Sequence, residues 1–199
     1  MKANRTLILN TLLLVVFYSC TPENPTPNPT PTPTIAIGQS YQGGILAYIL
    51  QAGDIGYDAN VQHGLIAAPS DQGTAKWGCE GIGISGADGT AIGTGAQNTI
   101  DIMNGCGISG IAARKCGNLL LGGYSDWYLP SKDELNKLYI NKVAIGGFAS
   151  SYYWSSTELA VVWDPNGDFA WVQHFGGGGD QNGNVKDGGN EYVRAVRSF

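Results

Sequence analysis

Residues 123–135 read GYSDWYLPSKDEL, and the middle of this stretch carries the signature of a helix start. Ser131 and Glu134 stand at the S-x-x-E spacing of a capping box, directly after Pro130. Trp127 lies just upstream, where an aromatic ring can pack beneath the first turn as a hydrophobic staple. The apolar residues that follow share one helical face: Leu135, Leu138 and Tyr139. The stretch therefore predicts a helix that begins at Ser131 and packs against a core.

Short apolar segments on both sides of this helix predict strands. The predicted strands are residues 44–50, 64–68, 152–155, 170–175 and 192–198. A glycine-rich ordered loop is predicted at residues 78–95, followed by short helices at 96–104 and 111–116. The first of these helices is expected to bury one stripe of side chains: Ala96, Thr99, Ile100 and Met103. Helices followed by a run of antiparallel strands indicate an α+β fold.

The first 34 residues are typical of export and anchoring. Lys2 and Arg5 precede a mostly apolar segment, residues 7–18, that is too short to span about 30 Å of hydrocarbon comfortably. Cys20 follows in the position of the lipidated cysteine of bacterial lipoproteins. An ordinary signal peptide with a chance cysteine is the alternative. Residues 21–34, TPENPTPNPTPTPT, cannot pack into a core and favour an extended tether.

These features predict three segments. Residues 1–19 are a lipoprotein signal peptide, residues 20–34 hold the lipidated Cys20 and the tether, and residues 35–199 are one domain. We expect an outer-membrane lipoprotein that faces the cell surface or the periplasm and reaches the membrane through Cys20.

The charge of the chain argues against a polyanionic partner. Without residues 1–19 the chain has nine basic and 16 acidic residues, a net charge of −7. A nucleic-acid partner needs a basic surface, so we expect none. For the same reason we expect weak or no binding to heparin-like chains at physiological salt.

Several strings along the domain are familiar in their order and spacing. They are GLIAAP at residues 64–69, GYSDWYLPS at 123–131, YWSSTE at 153–158, AW at 170–171 and VRAVR at 193–197. Together they resemble the Lcl C-terminal domain family over roughly residues 40–199. The resemblance implies a C-type-lectin-like form of the α+β fold, carried at the ends of bacterial surface proteins that include adhesins. It supplies no catalytic residues, and a shared fold does not fix a function.

The same strings also predict architecture. Trp154, Trp171 and Val193 are expected to fill a core. Arg194 and Arg197 are expected to form ion pairs with Asp126 or Glu158.

Three cysteines beyond Cys20 allow at most one disulfide within the domain. Cys79 and Cys106 lie in glycine-flanked loops, whereas Cys116 falls on a small-residue helix face that suits a buried thiol. Export permits oxidation. We therefore predict a Cys79–Cys106 disulfide, with Cys106–Cys116 as the rival pairing.

Two groups of polar residues are candidate binding sites. The first mixes an aromatic ring with oxygen-bearing side chains, which suits neutral sugar hydroxyls: Trp163, Asp164, Asn166 and Asp168. The second places oxygen ligands at alternate positions around a glycine turn, as calcium loops do: Asp180, Asn182, Asn184 and Asp187. The second group lacks the distant glutamate of an EF-hand, and such sequences are also common in plain hairpin turns. Calcium is therefore a candidate ligand, and no other cofactor is predicted.

Catalytic groupings are not evident in the sequence. His63 and His174 have no serine or cysteine in a known nucleophile motif. We expect a non-catalytic binding or adhesion module for glycan or protein ligands. The alternatives are a structural subunit of the envelope and an enzyme of unrecognised type, since formylglycine-generating enzymes also use a C-type-lectin-like fold.

Overall fold

The computed structural model describes residues 35–159 and 166–199, in which short strands and short helices follow one another. The strands before the helices are β1 (Ser40–Tyr41), β2 (Gly44–Ile49), β3 (Gly64–Ala67) and β4 (Thr74–Ala75). The helices are α1 (Gly95–Gly105), α2 (Ala112–Gly117), α3 (Lys132–Ile140) and α4 (Lys142–Ile145). The strands after them are β5 (Tyr152–Glu158), β6 (Phe169–His174), β7 (Gln181–Val185), β8 (Glu191–Tyr192) and β9 (Val196–Ser198).

The strands form two sheets. One has the order β1-β2-β3-β9 and is antiparallel throughout, and it contains the strands predicted at residues 44–50 and 64–68. The other has the order β4-β8-β5-β6-β7, in which only the β5–β8 pair is parallel. Mixed helices and antiparallel sheets confirm the α+β fold class.

The capping box at the start of α3 is present as predicted. The Glu134 N–H donates to Ser131 Oγ at 3.3 Å, and the Ser131 N–H donates to Glu134 Oε2 at 2.7 Å. The prediction of Trp127 as a staple is wrong. Trp127 is buried with Trp77 and Trp154, whereas Tyr128 packs with the apolar face of α3. Successive residues of an extended segment point to opposite sides, which sends Trp127 into one core cluster and Tyr128 into the other.

The structure corrects two predictions about which side chains are buried. In α1 the buried residues include Asn98 and Ile102, while Ile100 is 51% exposed. The Asn98 amide can be buried because its Nδ2 donates to the Gly89 carbonyl at 2.7 Å. Trp171 is only partly buried, and the Lys132 ammonium lies 3.9 Å from its ring centroid. Trp154 and Val193 are fully buried, as predicted.

The charged residues pair in part as predicted. Arg197 pairs with Asp126 at 2.8 Å, which confirms one predicted ion pair. Arg194 pairs instead with Asp71 at 2.7 Å and donates to the Ala68 carbonyl. Glu158 pairs with the buried Lys186.

The predicted disulfide is also confirmed. Cys79 and Cys106 are bonded, with their Cα atoms 5.8 Å apart. Cys116 is a buried free thiol, and burial raises its pKa above the usual value. The rival Cys106–Cys116 pairing is therefore excluded.

Candidate functional site

The described part of the structure does not show the residues predicted to bind a sugar lying close together. Trp163 and Asp164 lie outside the described residues, as do Cys20 and the segments 1–19 and 20–34. Asn166 is exposed, and Asp168 is half-buried where its carbonyl accepts the Lys186 N–H at 2.9 Å. The set of four therefore remains a prediction.

The residues predicted to bind calcium do not lie around a turn. Residues 181–185 form β7, so Asn182 and Asn184 lie at alternate positions of a strand at the edge of the five-stranded sheet. Asp180 precedes this strand and Asp187 follows it. The expected turn is wrong because this polar segment pairs with β6 over five residues. Calcium binding itself stays a prediction.

The two asparagines instead line an open cleft of about 270 Å³ on one face of the five-stranded sheet. Its lining residues are Tyr152, Val172, Asn182, Gly183 and Asn184. Tyr152 is paired with His174 and Val172 with Asn182 in neighbouring strands. Paired residues of antiparallel strands project to the same side of a sheet, so strand register brings these side chains together.

The lining residue Tyr152 packs against a neighbouring aromatic ring, that of His174. Tyr152 is 37% exposed, and its ring centroid lies 4.7 Å from that of His174 at an interplanar angle of 57°. The Gly177 N–H donates to His174 Nδ1 at 3.1 Å, which holds the imidazole in place. Tyr152 therefore presents a supported ring surface to solvent.

Two asparagine amides also line the cleft, Asn182 and Asn184. Asn184 Nδ2 donates to Glu191 Oε1 at 2.9 Å, and Asn184 Oδ1 accepts the Val185 N–H at 3.0 Å. These two bonds fix the orientation of the Asn184 amide. Burial raises the pKa of Glu191 above its usual value. Asn182 is exposed, and its side chain makes no hydrogen bond to any of the described residues.

This combination suits ligands with hydroxyl groups. Amides both donate and accept hydrogen bonds, and a tyrosine ring covers an apolar surface while its hydroxyl stays wet. Tyr152 and Val172 were missed by sequence reasoning because three strands, separated by up to 32 residues, meet here only through their register. The alternation of Tyr152 with the buried Tyr153 was a local signal that one ring of the pair faces outward.

An α+β domain with a polar cleft at an open sheet edge is thus the class that the geometry defines. The model of the Lcl C-terminal domain matches residues 74–197. The chain belongs to this family. No curated protein matches the chain. None of the helices in residues 35–159 and 166–199 is long and apolar enough to cross a membrane.

Proposed function

We propose that the chain is a cell-envelope lipoprotein whose domain is a non-catalytic binding or adhesion module. The proposal combines the lipoprotein-type Cys20 and the Pro/Thr tether with membership of a family that we associate with bacterial surface proteins. Kinship with C-type-lectin-like domains, and a place in the outer membrane, belong to the same proposal. The ligand is a glycan or a protein on a neighbouring surface.

The cleft beside β7 favours a neutral glycan. The observation that carries this proposal is an open cleft lined by both the exposed Tyr152 ring and the amide of Asn182, which makes no hydrogen bond to any described residue. A volume of about 270 Å³ suits one sugar ring better than a large apolar ligand. A second cleft of about 340 Å³, beside α1, is lined chiefly by apolar groups such as Ile100 and Met103 and offers hydroxyl groups few partners.

A glycan array tests the ligand class. We expect the full chain in detergent to bind neutral glycans and to leave heparin-like chains unbound at physiological salt. Titration calorimetry with the best array ligand then compares Tyr152→Ala with Tyr57→Ala, an exposed tyrosine on a loop before β3. Loss of binding in both variants, or in neither, would remove the cleft from the proposal.

The anchor has its own test. Cells that express the chain with a radioactive fatty acid are expected to label it, and the Cys20→Ser variant is expected to lose both the label and the membrane fraction. Labelling that persists without Cys20 would overturn the lipoprotein assignment.

Calcium at Asp180, Asn182, Asn184 and Asp187 is tested by thermal unfolding with calcium and with a chelator. Binding to the folded state raises the melting temperature. An unchanged melting temperature removes calcium from the proposal without affecting a glycan that binds directly.

A further inference from the structure

One lysine of the domain has its side chain completely buried in the interior. Lys186 is completely buried, and its Nζ contacts Glu158 Oε1. The same Nζ donates to the Ile82 carbonyl at 2.9 Å and lies 4.6 Å from the ring centroid of Trp77. Lys186 follows β7 and Glu158 ends β5, so this contact joins two separate parts of the five-stranded sheet to the loop that contains Ile82.

The carboxyl group is held as firmly as the amine. The Ile84 N–H lies 3.1 Å from Glu158 Oε1 and 2.9 Å from Oε2. Gly167 closes the site from the other side, since a Cβ added there would lie 2.9 Å from Glu158 Oε1 and 2.6 Å from the Gly83 Cα. Even a methyl group has no room at Gly167, and the side chains of Lys186 and Glu158 are 0% and 8% exposed.

The surroundings match an amide better than an ion pair. An ammonium has three N–H donors and a carboxylate has two acceptor oxygens. Apart from each other, the described residues offer these groups one carbonyl acceptor, on Ile82, and one N–H donor, on Ile84. An amide has one N–H and one C=O, which these two backbone groups would satisfy. A buried ion pair, by contrast, carries a desolvation penalty and here leaves one ammonium N–H against the face of Trp77.

We propose that Lys186 and Glu158 form an intramolecular amide crosslink. A proton passes from the ammonium to the carboxylate, the neutral amine attacks Glu158 Cδ, and the Ile84 N–H holds the oxygen that becomes negative. The Cδ–O bond to the other oxygen then breaks. One water leaves with that oxygen, one former lysine proton and the transferred proton, and a Cδ–Nζ bond remains. No oxidant or cofactor is required, and exclusion of water disfavours hydrolysis.

The wild-type protein itself supplies the decisive measurement. The intact reduced chain is expected to weigh one water, about 18 Da, less than its sequence after any processing of its amino terminus is assigned. Residues 143–185 contain no lysine or arginine, so trypsin normally releases 143–186 and 187–194. With Lys186 acylated we expect one peptide, 143–194, that lacks the same water and yields fragments joined through Glu158. Cleavage at Lys132, Lys137 and Lys142 in the same digest is the internal control.

A variant confirms the site. Lys186→Arg keeps the positive charge, and arginine is not expected to form the amide, so its peptides 143–186 and 187–194 are expected at full mass. Complete cleavage at Lys186 in the wild type, with both peptides at full mass, would overturn the crosslink whether or not the variant folds. The outcome is independent of the glycan proposal.

Discussion

The loop before α1 and the edge strand β7 are both rich in glycine and polar residues, yet the loop contacts buried groups whereas β7 borders an open cleft. The loop has its polar partners inside the fold: the Cys79–Cys106 disulfide holds one end, and Ile82 and Ile84 contact the buried Lys186 and Glu158. β7 leaves the Asn182 side chain facing an open cleft. Two regions of similar composition thus have different roles: the loop stabilises the fold, and β7 presents side chains to solvent. Their tertiary contacts, and not their residue types, determine which role each has.

The largest expected effect comes from removing one partner of the buried pair. Glu158→Ala leaves Lys186 without its carboxyl partner in the interior, so we expect the free energy of unfolding to fall by about 3–5 kcal/mol. Chemical denaturation measures this loss. Glu80→Ala, an exposed glutamate next to Cys79, is the matched control and is expected to change stability by less than about 0.5 kcal/mol. Equal losses of unfolding free energy in the two variants would contradict the proposed difference between buried and exposed glutamates.

The disulfide is expected to contribute next. It closes a sequence separation of 27 residues. Replacing both Cys79 and Cys106 by serine should therefore cost about 3–4 kcal/mol of unfolding free energy. A reductant is expected to destabilise the wild type to a similar extent and to leave the double variant unchanged. A reductant effect on the double variant would point to another cause.

A smaller effect is expected where an ion pair is open to solvent. Hydrogen bonds from Arg197 hold the pKa of Asp126 below its usual value. The contribution of this pair is present above the ordinary carboxyl pKa and is lost as pH falls through the lowered pKa. Asp126 is more than half exposed, so Asp126→Asn should cost at most about 1 kcal/mol at neutral pH. Comparing wild type and variant from pH 7 to pH 2 checks this, because their stabilities should converge in acid.

The smallest effect on stability is expected at the cleft. Tyr152→Ala removes a partly exposed ring from the sheet surface and should change the free energy of unfolding by about 0.5 kcal/mol or less. If the proposed function holds, the same variant loses glycan binding. A large loss of stability would show that Tyr152 stabilises the fold. The cleft and the loop before α1 would then no longer differ in their contribution to stability.

Local patterns in the sequence predicted the local parts of the fold. The capping box needs only Ser131 and Glu134, three residues apart, and it formed as predicted. The buried face of α1 could not be predicted in the same way, because Asn98 is accommodated by the Gly89 carbonyl and the Ser156 hydroxyl, partners supplied by tertiary structure.

The candidate site shows the same limit. Residues 181–185, QNGNV, have little intrinsic strand preference and read as a turn. They form a strand because β6 pairs with them, and the cleft exists only once that pairing and the β5–β6 register are set. Asn182 and Asn184 could be singled out as polar candidates, but not as neighbours of Tyr152.

The segment from Glu191 to Ser198 carries a strand of each sheet. β8 adds to the five-stranded sheet and β9 to the four-stranded sheet, while Val193, Arg194 and Ala195 between them are completely buried. The Val193 N–H donates to the Gly73 carbonyl, and the Ala195 carbonyl accepts the Ala68 N–H. Because one segment with a buried centre belongs to both sheets, we expect opening of one sheet to disturb the other. The backbone amides of β3 and β5 should therefore exchange with deuterium through one shared opening, and the domain should unfold as a single cooperative unit.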